Sequence, residues 1–194
     1  MKTMLKAIQK KNSGISGDIV SVFEDIVQKN IEQFGPNLTG VNCFAPEWDD
    51  EFSIALKERL SDEQRFRLYE QNGGCNGTGY DKARKEFAFK YADMPLRERL
   101  ALFCEVFGRK AVLNDDSTIT VTFACTHGYY KRAREGKYHS PPPSVEFYFE
   151  RCAGGRLYEY QKALGVKLKI KSVDISPLHE NVSNPVVFEF EVVQ

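Results

Sequence analysis

Five side chains hold most of the reactive chemistry this sequence offers: Cys75, Cys125, His127, His139 and Cys152. Thiolates and imidazoles are the ligands of a tetrahedral zinc ion, so these five could converge on one. No Cys-x-x-Cys pair occurs, and the spacing is that of no standard finger. The plain alternative is that they are inert core residues, the usual state of an isolated buried cysteine. Covalent chemistry is a further option. A thiol at a helix N-terminus has a lowered pKa, and Cys75 and Cys152 both stand where a helix is expected to start. Cys152 is followed by Ala153-Gly154-Gly155, whose amides could serve as an oxyanion hole. Cys152 as nucleophile and His127 as its base are then the catalytic candidates. Otherwise the glycine pair only lets a helix pack closely.

A second group is Gly73-Gly74-Cys75-Asn76-Gly77-Thr78-Gly79, four glycines in seven residues. Such a loop tolerates positive φ and exposes amides. Ahead of a helix start it could hold a carboxylate or a phosphate, through Cys75, Asn76 and Gly77. No Gly-Lys-Ser/Thr follows, so it is not a P-loop, and the helix expected before it excludes a dinucleotide fingerprint. Read plainly, it is one helix's C-cap running into the next helix's N-cap. A third group, Tyr129 to Tyr138, mixes tyrosines with Lys131, Arg132, Arg134 and Lys137. Such a mixture can stack on bases, but a solvated loop or a lid over a pocket explains it as well.

The elements that must position these residues divide the chain in two. Residues 1–108 read as mainly helical. Ile19, Phe23, Ile26, Val27, Ile31 and Phe34 recur at helical spacing, and Gly35-Pro36 is a stop. Residues 36–48 read as a loop. Phe52, Ala55, Leu56 and Leu60 mark a second helix. Ser61 to Gln64 is a capping box opening a third. Thr78 and Asp81 restart a fourth, and Pro95 opens a fifth, which Gly108 ends. In residues 109–194 the period changes. Lys110–Leu113 and Thr118–Ala124 read as a hairpin around Asn114-Asp115-Asp116-Ser117. Residues 125–143 read as a long loop. Val145, Phe147 and Phe149 suit either a strand or a short helix, and a helix is expected over Gly154–Leu164. Val166–Ile175 and Val186–Val193 alternate as strands. The expected fold is α+β in a single domain over 1–194: an N-terminal helical layer packed on a four-stranded, mostly antiparallel sheet.

Composition narrows the function classes. The 27 basic and 27 acidic side chains cancel, so no general grip on nucleic acid is expected. Residues 1–11 carry lysines without the apolar run of a signal peptide. The apolar runs are too short for a membrane span, so no membrane partner is expected. Five scattered cysteines suggest a reducing compartment, the cytoplasm.

Cys152-Ala153-Gly154-Gly155, Tyr160-Gln161, Ala163-Leu164-Gly165-Val166, Ser176-Pro177 and Pro185 to Glu191 resemble motifs of an uncharacterised bacterial protein family. The glycine loop around Cys75 resembles that family's central motif, so the likeness spans residues 73–193. More distantly, the layout is similar to L-2-amino-thiazoline-4-carboxylate hydrolase-like proteins and to 4-vinyl reductase-type small-molecule-binding domains. The resemblance implies an α+β protein holding a small molecule between helices and an antiparallel sheet. Three functions follow as expectations. The first is a small-molecule-binding domain with its pocket between the sheet and the glycine loop, lined by Cys75, Asn76, Gly77, Cys125, His127, His139 and Cys152. The second is a hydrolase using a cysteine or a zinc-bound water. The third is a protein-interaction module working through residues 125–143.

Overall fold

A computed structural model describes residues 2–10, 13–35, 46–72 and 78–193. Six helices come first: α1 (Lys2–Ile8), α2 (Gly17–Phe34), α3 (Pro46–Arg59), α4 (Asp62–Asn72), α5 (Asp81–Lys90) and α6 (Leu96–Phe107). The hairpin β1 (Ala111–Leu113) and β2 (Thr118–Phe123) follows, then α7 (Gly128–Arg134), α8 (Val145–Leu164), β3 (Lys167–Asp174), α9 (Pro177–Glu180) and β4 (Val186–Val193).

Local chemistry sets several of these boundaries. α2 buries Phe23, Ile26, Val27 and Asn30 on one face. It ends where Gly35, at φ 85°, donates its N–H to the Ile31 carbonyl. The capping box forms as its sequence requires: Ser61 N–H reaches Gln64 Oε1 at 3.0 Å, and Gln64 N–H reaches Ser61 Oγ at 3.3 Å. α6 stops at Gly108 in the left-handed conformation. In the β1–β2 turn, Asp116 Oδ1 accepts the Thr118 N–H at 3.1 Å.

The sheet order is β1-β2-β4-β3, with every pairing antiparallel. The fold is therefore α+β, a helical layer on a four-stranded sheet. α8 lies at its centre, packed against α4 and α5 as well as β3. The inner sheet residues Ile119, Val121, Leu168, Ile170, Phe188 and Phe190 join the helices' apolar faces in one buried cluster.

Both sheet edges are closed by side chains. On β3, the Leu168 and Ile170 amides donate to Gln161 Oε1 (2.9 Å) and Glu70 Oε1 (2.8 Å). On β1, the Leu113 carbonyl accepts from Arg97 Nη1 at 2.6 Å, and the Ala111 carbonyl faces the Cys104 thiol at 3.8 Å. An edge so occupied cannot template pairing with another strand. No helix among the described residues is long and apolar enough to cross a membrane.

Two expectations change. Of the strand and the short helix left open for Val145, Phe147 and Phe149, the helix forms and is longer than expected: they begin the 20-residue helix α8, continuous with the helix expected from Gly154. α8 is buried nearly all round, so it lacks the one-sided stripe that marks a surface helix. The 125–143 loop contains α7, which buries Tyr129, Tyr130 and Ala133. Seven residues are too few to show a period. α1 also went unread, for the same reason.

Candidate functional site

Fourteen of the twenty residues of α8 are buried, and they are not all apolar. Tyr148, Cys152, Arg156 and Glu159 follow at intervals of four, four and three, so they share one face. Gly155 lies on that face as well. A polar stripe with a glycine near its middle thus runs along the most enclosed helix in the molecule.

At its first end the stripe meets the segment after β2. Cys125 is half-buried, and its thiol donates to the His127 carbonyl at 3.1 Å. Its sulfur lies 3.9 Å from Tyr148 Oη. Burial, then the thiols of Cys152 and Cys125, push the Tyr148 phenol far above its ordinary range. Tyr148 Oη also sits against Gly128, at φ 56°, where an added Cβ would overlap the oxygen. Aromatic rings surround this end. Tyr129 and Tyr138 stack at 5.4 Å, almost parallel, and Tyr129 meets Phe149 edge-on. Burial, with Tyr138 adding, pushes the Tyr129 phenol up to about 12. Tyr130 Oη lies 3.1 Å and 2.9 Å from the carbonyls of Phe123 and Asn184, and accepts the Val186 N–H at 3.1 Å.

The other end carries charge. The Glu159 side chain is fully buried. Its Oε1 accepts from Arg84 Nη2 at 3.0 Å and from Arg109 Nε and Nη2 at 3.2 and 2.7 Å. Arg156 pairs with Oε2. Burial pushes this carboxyl's pKa up, but the charges and hydrogen bonds of Arg156, Arg109 and Arg84 outweigh it, so the group lies below its ordinary value. Arg84 also meets Asp81 Oδ1 at 3.3 Å, and Tyr158 Oη donates to Asp81 Oδ2 at 2.6 Å. Asp81 opens α5 just beyond the glycine loop, so this network ties the exit of the loop to α8. Arg156 further lies over the Phe123 ring, 5.8 Å from its centroid, which links the charged end to the end of β2.

Another buried pair, Arg65 with Glu150, bolts α4 to the opposite side of α8, at 3.0–3.3 Å. Arg65 Nη1 also reaches the Leu60 carbonyl and Nη2 reaches Asp62. Every polar contact there is internal, so it reads as a structural clamp.

Of the residues singled out in the sequence, Cys75, Asn76 and Gly77 lie outside the described residues. Cys125 and Cys152 come together around Tyr148. His127 and His139 are exposed, the first as the residue before α7 and the second in the segment leading to α8. Among the described residues, no three His, Cys, Asp or Glu side chains group as a metal site. Cys152 lies in the middle of α8, not before a helix. No helix N-terminus lies beside it, and the Gly154 and Gly155 amides belong to the helix's own hydrogen bonds. The oxyanion-hole expectation therefore fails. The Tyr129–Tyr138 stretch is a brace: Arg134 holds the Cys125 and Thr126 carbonyls at 3.4 and 2.9 Å.

Sequence reasoning missed Arg84, Arg109, Tyr148, Arg156 and Glu159. One signal was available. Arg156 and Glu159 interrupt a segment that otherwise reads as core, and charges are rarely buried there unless paired. Comparison of the chain with protein-family models, with curated proteins and with solved structures found no match.

Proposed function

We propose that this protein binds a small organic molecule along the polar stripe of α8, in a pocket between the sheet and the glycine loop. The observation that carries this reading is the stripe itself. Tyr148, Cys152, Arg156 and Glu159 concentrate hydrogen-bonding groups on one face of a helix whose surroundings are otherwise core, with Gly155 among them. Ligand pockets are typically apolar walls with a few convergent polar groups, and here the walls would be Phe123, Phe149 and Tyr129. His127 and His139, both exposed, would lie near the mouth. Five scattered cysteines without a Cys-x-x-Cys pair support placing the protein in a reducing compartment, the cytoplasm.

The test is a thermal-shift screen of small metabolites against the purified protein, with hits confirmed by calorimetry. Hits should bind the wild type and lose affinity in Gly155→Ala. Alanine suits a helix interior better than glycine by about 0.5–1 kcal/mol, and circular dichroism checks that this buried position accepts the added methyl group. The reading fails if no compound raises the melting temperature, or if every hit binds Gly155→Ala as well as the wild type.

A further inference from the structure

We propose that Cys125 is a site of oxidation by hydrogen peroxide and that Cys152 resolves the product as an intrachain disulfide, whether or not a ligand binds the stripe. The two thiols belong to different elements and meet at one atom. Cys152 stands four residues after Tyr148 on α8, one turn further along the same face. Its thiol hydrogen-bonds the Tyr148 phenol. Cys125 reaches the same phenol oxygen from the segment between β2 and α7, at 3.9 Å. The sulfurs are thus no further apart than those two contacts laid end to end. The Tyr130 phenol neighbours both thiols as well. Gly128 seats Tyr148 Oη against the backbone just after Cys125, which holds helix and segment together.

The thiols differ in access, and that sets the order of events. Cys125 is half-buried, so a small oxidant reaches it from solvent. Cys152 is only 4% exposed. Cys125 as thiolate attacks one oxygen of hydrogen peroxide. The O–O bond breaks, a sulfenic acid forms, and the departing hydroxide takes up the proton the thiol had shed and leaves as water. Cys152 Sγ then attacks the Cys125 sulfur. The S–S bond forms, the S–O bond breaks, and the released hydroxide leaves as water with the Cys152 proton. Two thiols have lost two electrons, and one peroxide has become two waters. A disulfide needs its Cβ atoms about 3.8 Å apart, so the segment closes on the helix. Residues 124–127 belong to no helix or strand and can shift, whereas Cys152 is fixed in the middle of α8. On closing, Cys125 gives up its 3.1 Å contact with the His127 carbonyl.

The experiment treats the reduced, folded full chain with hydrogen peroxide and blocks the remaining thiols with iodoacetamide. Disulfides are then mapped by mass spectrometry of an unreduced digest. The wild type should yield a peptide pair joined through Cys125 and Cys152, separated again by dithiothreitol. Cys152→Ser should stop at the sulfenic acid, trapped on Cys125 by dimedone. Cys125→Ser should keep Cys152 reduced at the peroxide dose that links the wild type. Circular dichroism checks both variants, and if Cys152→Ser does not fold, the wild-type map and Cys125→Ser decide the matter. Cys125 and Cys152 left unlinked in the folded wild type overturn the inference. So does Cys125 joined to Cys43, Cys75 or Cys104, or a Cys125–Cys152 link that forms only in urea.

Discussion

Glu159 is a buried carboxylate that stays ionised because arginines on both its oxygens outweigh its desolvation. Its folded pKa lies below the ordinary 4.5, so its contribution to stability is present above that value. The contribution is lost as pH falls from about 4.5 through the depressed folded value. Glu150 behaves in the opposite sense. Burial raises its pKa even with Arg65 attached, so its contribution is greatest below 4.5 and declines as pH rises through the raised value. Glu159→Gln should therefore flatten the acid limb of the stability curve. It should also cost about 3–5 kcal/mol at neutral pH, the usual effect of breaking a buried pair. Urea unfolding from pH 7 down to about pH 2.5, through the window below 4.5 where the contribution is lost, measures both, and an unchanged acid limb would contradict the assignment. Gly128 makes a separate demand. Its positive φ alone would cost an alanine about 1–2 kcal/mol, and the Tyr148 hydroxyl blocks a Cβ. Gly128→Ala should destabilise by more than that, and adding Tyr148→Phe should restore part of the loss by removing the oxygen. Additive costs in the double-mutant cycle would show that the two groups are not in contact.

Among the elements, β3 depends on side chains to finish its edge. Glu70 is half-buried, with its pKa raised by burial and held back by the Ile170 amide. Replacing both Glu70 and Gln161 by alanine would leave two outward amides without acceptors. The prediction is concentration-dependent association, read by sedimentation velocity, in the double variant and not in the wild type. A monodisperse variant would show that the three lysines on β3 suffice to protect the edge. Elements with a one-sided pattern were readable before any coordinates. The α2 face, the capping box at Ser61, the Gly108 stop and the strands Lys167–Asp174 and Val186–Val193 needed only local periodicity and turn chemistry. α8 did not announce its start, because a helix enclosed by α4, α5 and the sheet has apolar residues on every side. Its first turns alternate as a half-buried strand would. α1 and α7, seven residues each, are too short for any period to rise above chance.

Across the whole molecule, a net charge of zero conceals local order: arginines gathered on one buried carboxylate at the Glu159 end of α8, and an aromatic, thiol-bearing enclosure at the Tyr148 end. The site was only half legible for that reason. Cys125 and Cys152 stood out by residue type, and both reach Tyr148. Arg84, Arg109 and Arg156 looked like ordinary surface charge, because only tertiary packing brings residues from α5, the α6–β1 junction and α8 onto one carboxylate. His127 and His139 drew attention by type and lie at the surface. The most direct test of the account is whether a small molecule occupies the stripe, read as the melting temperature of wild type and Gly155→Ala across a metabolite screen. The account predicts compounds that raise the wild-type midpoint and fail to raise that of a folded Gly155→Ala. No such compound, or equal shifts in both proteins, would contradict it.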